Sequence, residues 1–327
     1  MRAKAGLSNP YLQLLVTMVL WGSAFSSSKS VVRYVPPEVA AVLRFGGAAL
    51  ALLVAVRLFG DRGARVSARG GRRAAAAGVL GVFAYNGFFF WGLSQAPSLD
   101  AGILIPVMSP ILTSAFLLLT GKERAGAART TGLALGLVGA LVFFAGAGSG
   151  AEAGSSRLWG DGLFLLSAVC WAGYTLLGSR VLAGADPLRA TTYATCTGAV
   201  LLAVLAAPDM TKVHWSALPA GVWLNTVYLA VGAAALANLL YYRGVGAVGP
   251  ANASLMMFTV PVVNTACSTL LLGESFGRLQ ATGAVVLLCG AALAVTQGRL
   301  PTRSTAPATP AERPQADTEM PRHGNTA

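Results

Sequence analysis

Arg44 stands about six residues into an apolar run, 38–58, or roughly 9 Å along it if the run is helical. A guanidinium at that depth faces protein or a water-filled cavity. There it can hold a carboxylate or another anion, or it can tie helix carbonyls and snorkel. Lys29 lies near the end of the preceding run among Ser26, Ser27, Ser28 and Ser30. A helix there is polar nearly all round, which suits a vestibule or a snorkelling lysine. A second group combines rings and amides. Tyr85 and Phe89 share a helical face at four-residue spacing, with Asn86 between them. Asn238 and Tyr242 share another, and Asn252, Met256 and Thr259 a third. Trp21, Trp171 and Tyr174 complete the candidate set. Rings receive apolar bulk and amides orient polar groups, a combination that fits an uncharged or zwitterionic solute. Helix packing or an interfacial aromatic belt is the competing reading for each.

The elements that must position these side chains are helices in lipid. The chain has 327 residues, 55% hydrophobic and 11% charged, with mean hydropathy +0.63, whereas soluble domains carry about 25% charge. Ala74–Leu99 and Gly244–Gly273 hold no formal charge, nor does Val213–Tyr242 with His214 neutral. About 20 apolar residues suffice to cross a bilayer. Ten spans are predicted, at 11–32, 38–58, 74–94, 100–120, 130–148, 159–182, 188–207, 217–242, 250–272 and 279–297. Arg2, Lys4, Arg57, Arg62, Arg65, Arg69, Arg72, Arg73, Lys122, Arg124, Arg129, Arg180, Arg189, Arg243, Arg299, Arg303, Arg313 and Arg322 then fall on one side. The other side receives Arg33, Arg157, Lys212 and Arg278. The basic side is cytoplasmic by the positive-inside rule, so both termini are expected there. The net charge of +12 does not signal nucleic acid, because it resides in short loops and the tail.

The sequence repeats at an offset of about 150 residues. Trp21-Gly22-Ser23-Ala24 matches Trp171-Ala172-Gly173-Tyr174, and Pro37 matches Pro187. Pro110 matches Pro261, Gly121-Lys122-Glu123 matches Leu272-Gly273-Glu274, and Gly132 and Gly139 match Gly283 and Gly290. Each copy holds five spans, an odd number, so the second enters the membrane in the opposite sense. Residues 11–148 and 159–297 form the two halves. Residues 1–10 precede them, 149–158 link them, and 298–327 form a tail too polar to bury a core. Pro106 and Pro110 should interrupt the fourth span and Pro261 the ninth, with Pro110 and Pro261 as hinges at matching positions. The glycines of spans five and ten read as scaffold or as a dimer surface.

These residues resemble the drug/metabolite transporter superfamily in its EamA-like branch. Trp21-Gly22-Ser23-Ala24-Phe25, Pro36-Pro37, Arg44, Ala101–Glu123 with Pro110, Gly160-Asp161-Gly162, Cys170-Trp171-Ala172-Gly173-Tyr174, Pro261 and Gly273-Glu274 carry the resemblance, which covers about 11–297. It implies an all-α integral membrane protein with ten transmembrane helices, arranged as two inverted five-helix repeats around a central cavity. It also implies movement of small metabolites, often amino acids.

The expectation is a secondary transporter in the bacterial cytoplasmic membrane, exporting a small metabolite such as an amino acid or related carboxylate by alternating access. The alternative is an exporter of cationic drugs. That reading lacks a carboxylate in mid-membrane, since Glu38, Asp100, Asp161 and Glu274 all fall near span ends. Glu123 and Glu274 read as ties between helix ends and loops. No enzyme, cofactor or metal site is expected. His214 and His323 lie in a loop and the tail, and Cys170, Cys196, Cys267 and Cys289 are isolated from one another. The expected partners are a small-molecule substrate, the lipid bilayer and, through the glycines, a second copy.

Overall fold

A computed structural model describes residues 9–59, 68–121, 126–149, 154–181, 187–248, 256–275 and 277–296. Those residues contain helices and connections and no strand. The helices are α1 (Pro10–Val32), α2 (Pro37–Phe59), α3 (Ala68–Gly78), α4 (Tyr85–Gln95), α5 (Ser98–Leu119), α6 (Ala127–Ser149), α7 (Ser155–Val181), α8 (Pro187–Met210), α9 (Ala220–Val227), α10 (Ala237–Val248), α11 (Thr259–Leu272) and α12 (Arg278–Thr296). α3 and α4 are one rod, joined by a π-helical stretch at Val79–Ala84. α9 and α10 are joined in the same way by Tyr228–Leu236. Counted so, eight rods are long and apolar enough to cross a bilayer. Two further helices fill the places of spans one and nine. α1 has the length, at 23 residues or roughly 34 Å, but its serine run makes it less apolar. α11 has 14 residues, and the residues just before Met256 lie outside those described. So do Lys122 to Arg124, residues 150–153 and the tail.

The packing follows the repeat. α1 lies against α10 and α11 of the second half, while α7, its counterpart, lies against α4 and α5 of the first. Two further extensive contacts join counterparts directly, α2 to α8 and α6 to α12. At the α6–α12 crossing, glycines bring two backbones together. A Cβ on Gly139 would stand 2.3 Å from the Leu287 nitrogen, and one on Gly283 would stand 2.3 Å from the Phe143 nitrogen. Gly132 and Gly290 face the same seam. These glycines therefore serve the scaffold within one chain; they do not form an outer face for a second copy.

The proline expectation is half changed. α5 runs unbroken through Pro106 and Pro110. In the ninth span a turn at Met257–Phe258 precedes α11. Pro261 has no N–H to give the Met257 carbonyl four residues back, and that oxygen instead accepts from the Val260 nitrogen at 3.0 Å.

Two readings of charge also change. α7 begins at Ser155, so Arg157 is a buried helical residue and not part of a linker. Asp100 and Asp161 do lie near helix ends, yet both are 0% exposed. Position along a helix does not measure burial where a neighbouring helix covers the end. Glu274 is a tie between elements: its carboxylate accepts from the Ser98 nitrogen at 3.1 Å, the Ser98 hydroxyl at 2.8 Å and the Leu99 nitrogen at 2.9 Å. That caps the start of α5, where a negative charge also meets the positive end of the helix dipole. Glu123, its counterpart, is outside the described residues.

Candidate functional site

Between the halves lies a cavity of about 110 Å3. One water needs roughly 10–15 Å3 measured in this way, so the space admits a small solute or several waters. Its walls come from matching parts of the two repeats. Trp21 of α1 and Trp171 of α7 face each other edge to face, centroids 6.3 Å apart. The π-helical stretches contribute Gly81 and Val82 from one half and Ala233 and Ala234 from the other. Pro106 of α5 and Met257, which precedes α11, stand 151 positions apart in sequence and both line the space.

Aromatic rings dominate the walls. Tyr85 and Phe89 stack with rings 6.0 Å apart and 6° from parallel, as their spacing requires. Tyr85 also approaches Trp171, and Trp171 approaches Tyr174. Trp21 meets Tyr241 at 4.9 Å. Tyr174 lies over the bare backbone of Gly81, where a Cβ would stand 2.3 Å from its Cδ2. A π-helical turn widens the helix, and such stretches concentrate at functional sites. Here the wide turn and the missing side chain together admit a ring.

Arg44 is the single charged residue of the lining among the described residues. One Nη donates to the Ser28 hydroxyl at 3.4 Å, and the guanidinium lies over the rings of Phe45 and Phe89 at 5.2 and 5.8 Å. Its Nε is buried and has no hydrogen-bond partner. Among the described residues no carboxylate pairs with it. Its counterpart 150 positions on is Ala194, so the repeat does not duplicate the cation. Asn238 is the amide of the lining; its Nδ2 donates to the Ala234 carbonyl at 2.7 Å, which leaves its oxygen for another donor.

The structure thus gathers Trp21, Arg44, Tyr85, Phe89, Trp171, Tyr174 and Asn238 in one space. Lys29 is elsewhere. Its ammonium donates to the Leu93 and Ala96 carbonyls at the end of α4, because those carbonyls have no helical partner of their own. Asn86 is wholly buried outside the cavity, with Nδ2 on the Val82 carbonyl. Met256 packs against the core while Met257, one residue on, lines the space. The side chain of Tyr242 and all of Asn252 lie outside the described residues. Of the two hinge candidates, Pro261 adjoins the turn at Met257, and Pro110 lies one turn beyond Pro106. Phe25, Phe45, Gly81 and Met257 are lining residues that sequence reasoning did not select. For Gly81 a signal existed, a glycine inside an apolar run. For the others the residue type is common to any packed core.

Comparison with known proteins finds the same duplication. The family model described as "EamA-like transporter family" matches twice, at residues 9–145 and 158–296. The uncharacterized transporter YyaM of Bacillus subtilis is 30% identical over 91% of this chain and 97% of its own length. A protein named "Probable terminal-alkyne amino-acid exporter" in Streptantibioticus cattleyicolor is 29% identical, covering 88% and 93%. The uncharacterized inner membrane transporter YedA of Escherichia coli K12 is 28% identical, covering 88% and 90%. A solved crystal structure matches with TM-score 0.60 at 24% identity, covering 89% of this chain and 99% of that one. At that identity the likeness concerns the fold.

Proposed function

We propose that this chain, which belongs to the EamA-like transporter family and is a multi-pass membrane transporter, carries a small solute bearing a carboxylate, an amino acid or close relative, outward by alternating access. The observation that carries this reading is Arg44: a guanidinium with a free Nε donor and, among the described residues, no acidic partner, set among aromatic rings. A carboxylate would complete its hydrogen bonding. The rings would take the side chain, and the Asn238 oxygen would receive an ammonium. The relative named as an amino-acid exporter points to the same class. Two five-span halves, each lodging its first helix in the other, suit a carrier in which the halves exchange shapes. The excess of arginine on one side supports termini in the cytoplasm and a place in the cytoplasmic membrane.

Export of cationic drugs has one observation in its favour, the aromatic walls, which attract cations. Arg44 opposes it, because it already occupies two ring faces and repels a second cation.

The test is counterflow in proteoliposomes with a mixture of radiolabelled L-amino acids, alongside ethidium efflux. Charged hydrogen bonds contribute about 1.5–3 kcal/mol, so Arg44→Ala should weaken apparent affinity roughly ten- to hundredfold. Arg44→Lys should recover part of the loss, as an ammonium keeps the charge without the planar fork. Ethidium efflux that Arg44→Ala leaves intact or enhances, with no amino-acid counterflow, would overturn the reading.

A further inference from the structure

Away from the cavity, where α5, α7 and α12 begin, four side chains form a buried polar cluster. Asp100, Arg157, Asp161 and Gln280 are 0, 8, 0 and 1% exposed. Asp100 is fully served. Arg157 Nε reaches one of its oxygens at 2.9 Å, and Arg157 Nη2 reaches the other at 3.2 Å. Gln280 Nε2 donates to that second oxygen at 2.7 Å, while Gln280 Oε1 accepts from Arg157 at 3.0 Å. Asp161 is close enough to interact with both Asp100 and Arg157, yet neither of its oxygens meets a hydrogen-bond donor. The helix approach that buries it depends on Gly160, where a Cβ would stand 2.6 Å from the Ala96 Cβ.

The charges do not balance. Two carboxylates share one guanidinium, and a fully buried ionised carboxylate without a donor is among the costliest groups a protein can hold. One proton removes the difficulty: Asp161 becomes a neutral acid, and its O–H donates to Asp100. A metal ion is a poorer solution, because among the described residues no group of three His, Cys, Asp or Glu side chains surrounds the pair.

We propose that Asp161, with Asp100 as its acceptor, is a proton-binding site whose occupancy holds this end of the bundle closed. α5 and α7 pack against each other, and Arg157 of α7 holds Asp100 of α5 where the two helices begin. If they part, water reaches Asp161, the carboxylate is solvated, and the proton leaves. Both helices also wall the cavity, through Ile105 and Pro106 on α5 and through Trp171 and Tyr174 on α7. Proton binding and access to the cavity are thereby linked through two rigid elements. By the charge asymmetry of the loops this is the outer end, so the site reads external pH.

The groups facing the pair are few. Arg157 shares α7 with Asp161. Glu274 approaches from between α11 and α12, but its oxygens are taken by Ser98 and Leu99. α4 brings Tyr85, whose carbonyl accepts from Ser167, well below Asp161 on α7. Lys29 of α1 holds the Ala96 carbonyl at the end of α4. α3 and α6 carry their arginines, Arg69, Arg72, Arg73 and Arg129, at the opposite end.

The opening motion rests on the carrier reading above, whereas the proton does not, and readouts without solute separate the two. Purified full-length protein would be unfolded at a series of pH values from 6 to 9, wild type beside Asp161→Asn. A group protonated when folded and ionised when unfolded destabilises the fold as pH rises. The sign follows from proton count: the native state binds one more proton than the unfolded chain. The wild-type unfolding constant should therefore rise about tenfold per pH unit relative to that of Asp161→Asn. Asparagine keeps a neutral donor, so its profile should lack that slope. Hydrogen–deuterium exchange over residues 99–103 and 157–162 should quicken with pH more steeply in the wild type than in Asp161→Asn. Parallel profiles for the two proteins would overturn the proposal. If Asp161→Asn fails to fold, infrared spectroscopy of wild-type protein labelled with carbon-13 aspartate decides. A carboxylic-acid C=O band at neutral pH that shifts with the label supports the site, and its absence overturns it.

Discussion

Gly81 decides how close Tyr174 can stand to the cavity. Adding one methyl there meets the Cδ2, Cγ and Cε2 atoms of the ring at 2.3, 2.5 and 2.9 Å. The collision lies at the base of the ring as well as along its edge, so a small rotation does not relieve it. Forcing extra volume into a packed site costs about 1–3 kcal/mol. Gly81→Ala should lower the melting temperature and weaken solute affinity. Adding Tyr174→Ala makes room for the methyl, so the double variant should be more stable than the sum of the two single changes; simple additivity would detach Gly81 from Tyr174. At this scale the sequence was legible where a residue type is out of place in its surroundings. Arg44 declared itself by its depth in an apolar run, and Tyr85 and Phe89 by their spacing. Lys29 declared itself equally, but its target is a pair of carbonyls at the end of another helix, which spacing along one chain does not reveal. Asp161 was passed over because it lies near a helix end. Its burial involves segments distant in sequence, Ala96 at the end of α4 beside Gly160 and Asp100 at the start of α5.

Among the elements, the ninth span best shows a residue type acting through the backbone. Pro261 leaves the Met257 carbonyl without its helical donor, and a turn forms where Met257 and Val260 meet the cavity. Pro261→Ala restores an N–H that can bond that carbonyl. The span should straighten, Met257 should leave the lining, and transport should fall about tenfold. Stability should hold or rise, because proline inside a helix costs roughly 3 kcal/mol. Transport and melting temperature both unchanged would remove the turn from the mechanism. The same rule expected an interruption in the fourth span, and there it failed: α5 stays helical through Pro106 and Pro110. The two π-helical stretches were not legible at all. An i to i+5 pattern leaves no clear mark in hydropathy, since the residues on either side remain apolar. Only their positions in the two halves, Val79–Ala84 and Tyr228–Leu236, obey the repeat.

For the whole molecule, the repeat read from a few matched motifs foretold two halves, but not that they interlock. α1 packs against α10 and α11, and α7 packs against α4 and α5, so each half surrounds the other's first helix. α1 carries the polar stretch that needs this shelter. Ser26 bonds Ser268, and Ser27 bonds Asn225, both in the second half. Left in lipid without them, each hydroxyl would lose its partner in a medium that offers no other. Neither half should therefore be stable alone, although each has its own match to the family. Cutting the chain at 150–153 and expressing the halves singly should give aggregated or degraded protein. Co-expression should restore a monodisperse complex on size-exclusion chromatography, because every contact between halves survives the cut. Transport activity should return with it, since the cavity draws Trp21 and Arg44 from one half and Trp171 and Asn238 from the other. A single half that remains monodisperse and folded would mean that the interlock is dispensable and that the halves move as independent units. Recovery only on co-expression would make the exchange of first helices the feature that obliges the two repeats to change shape together.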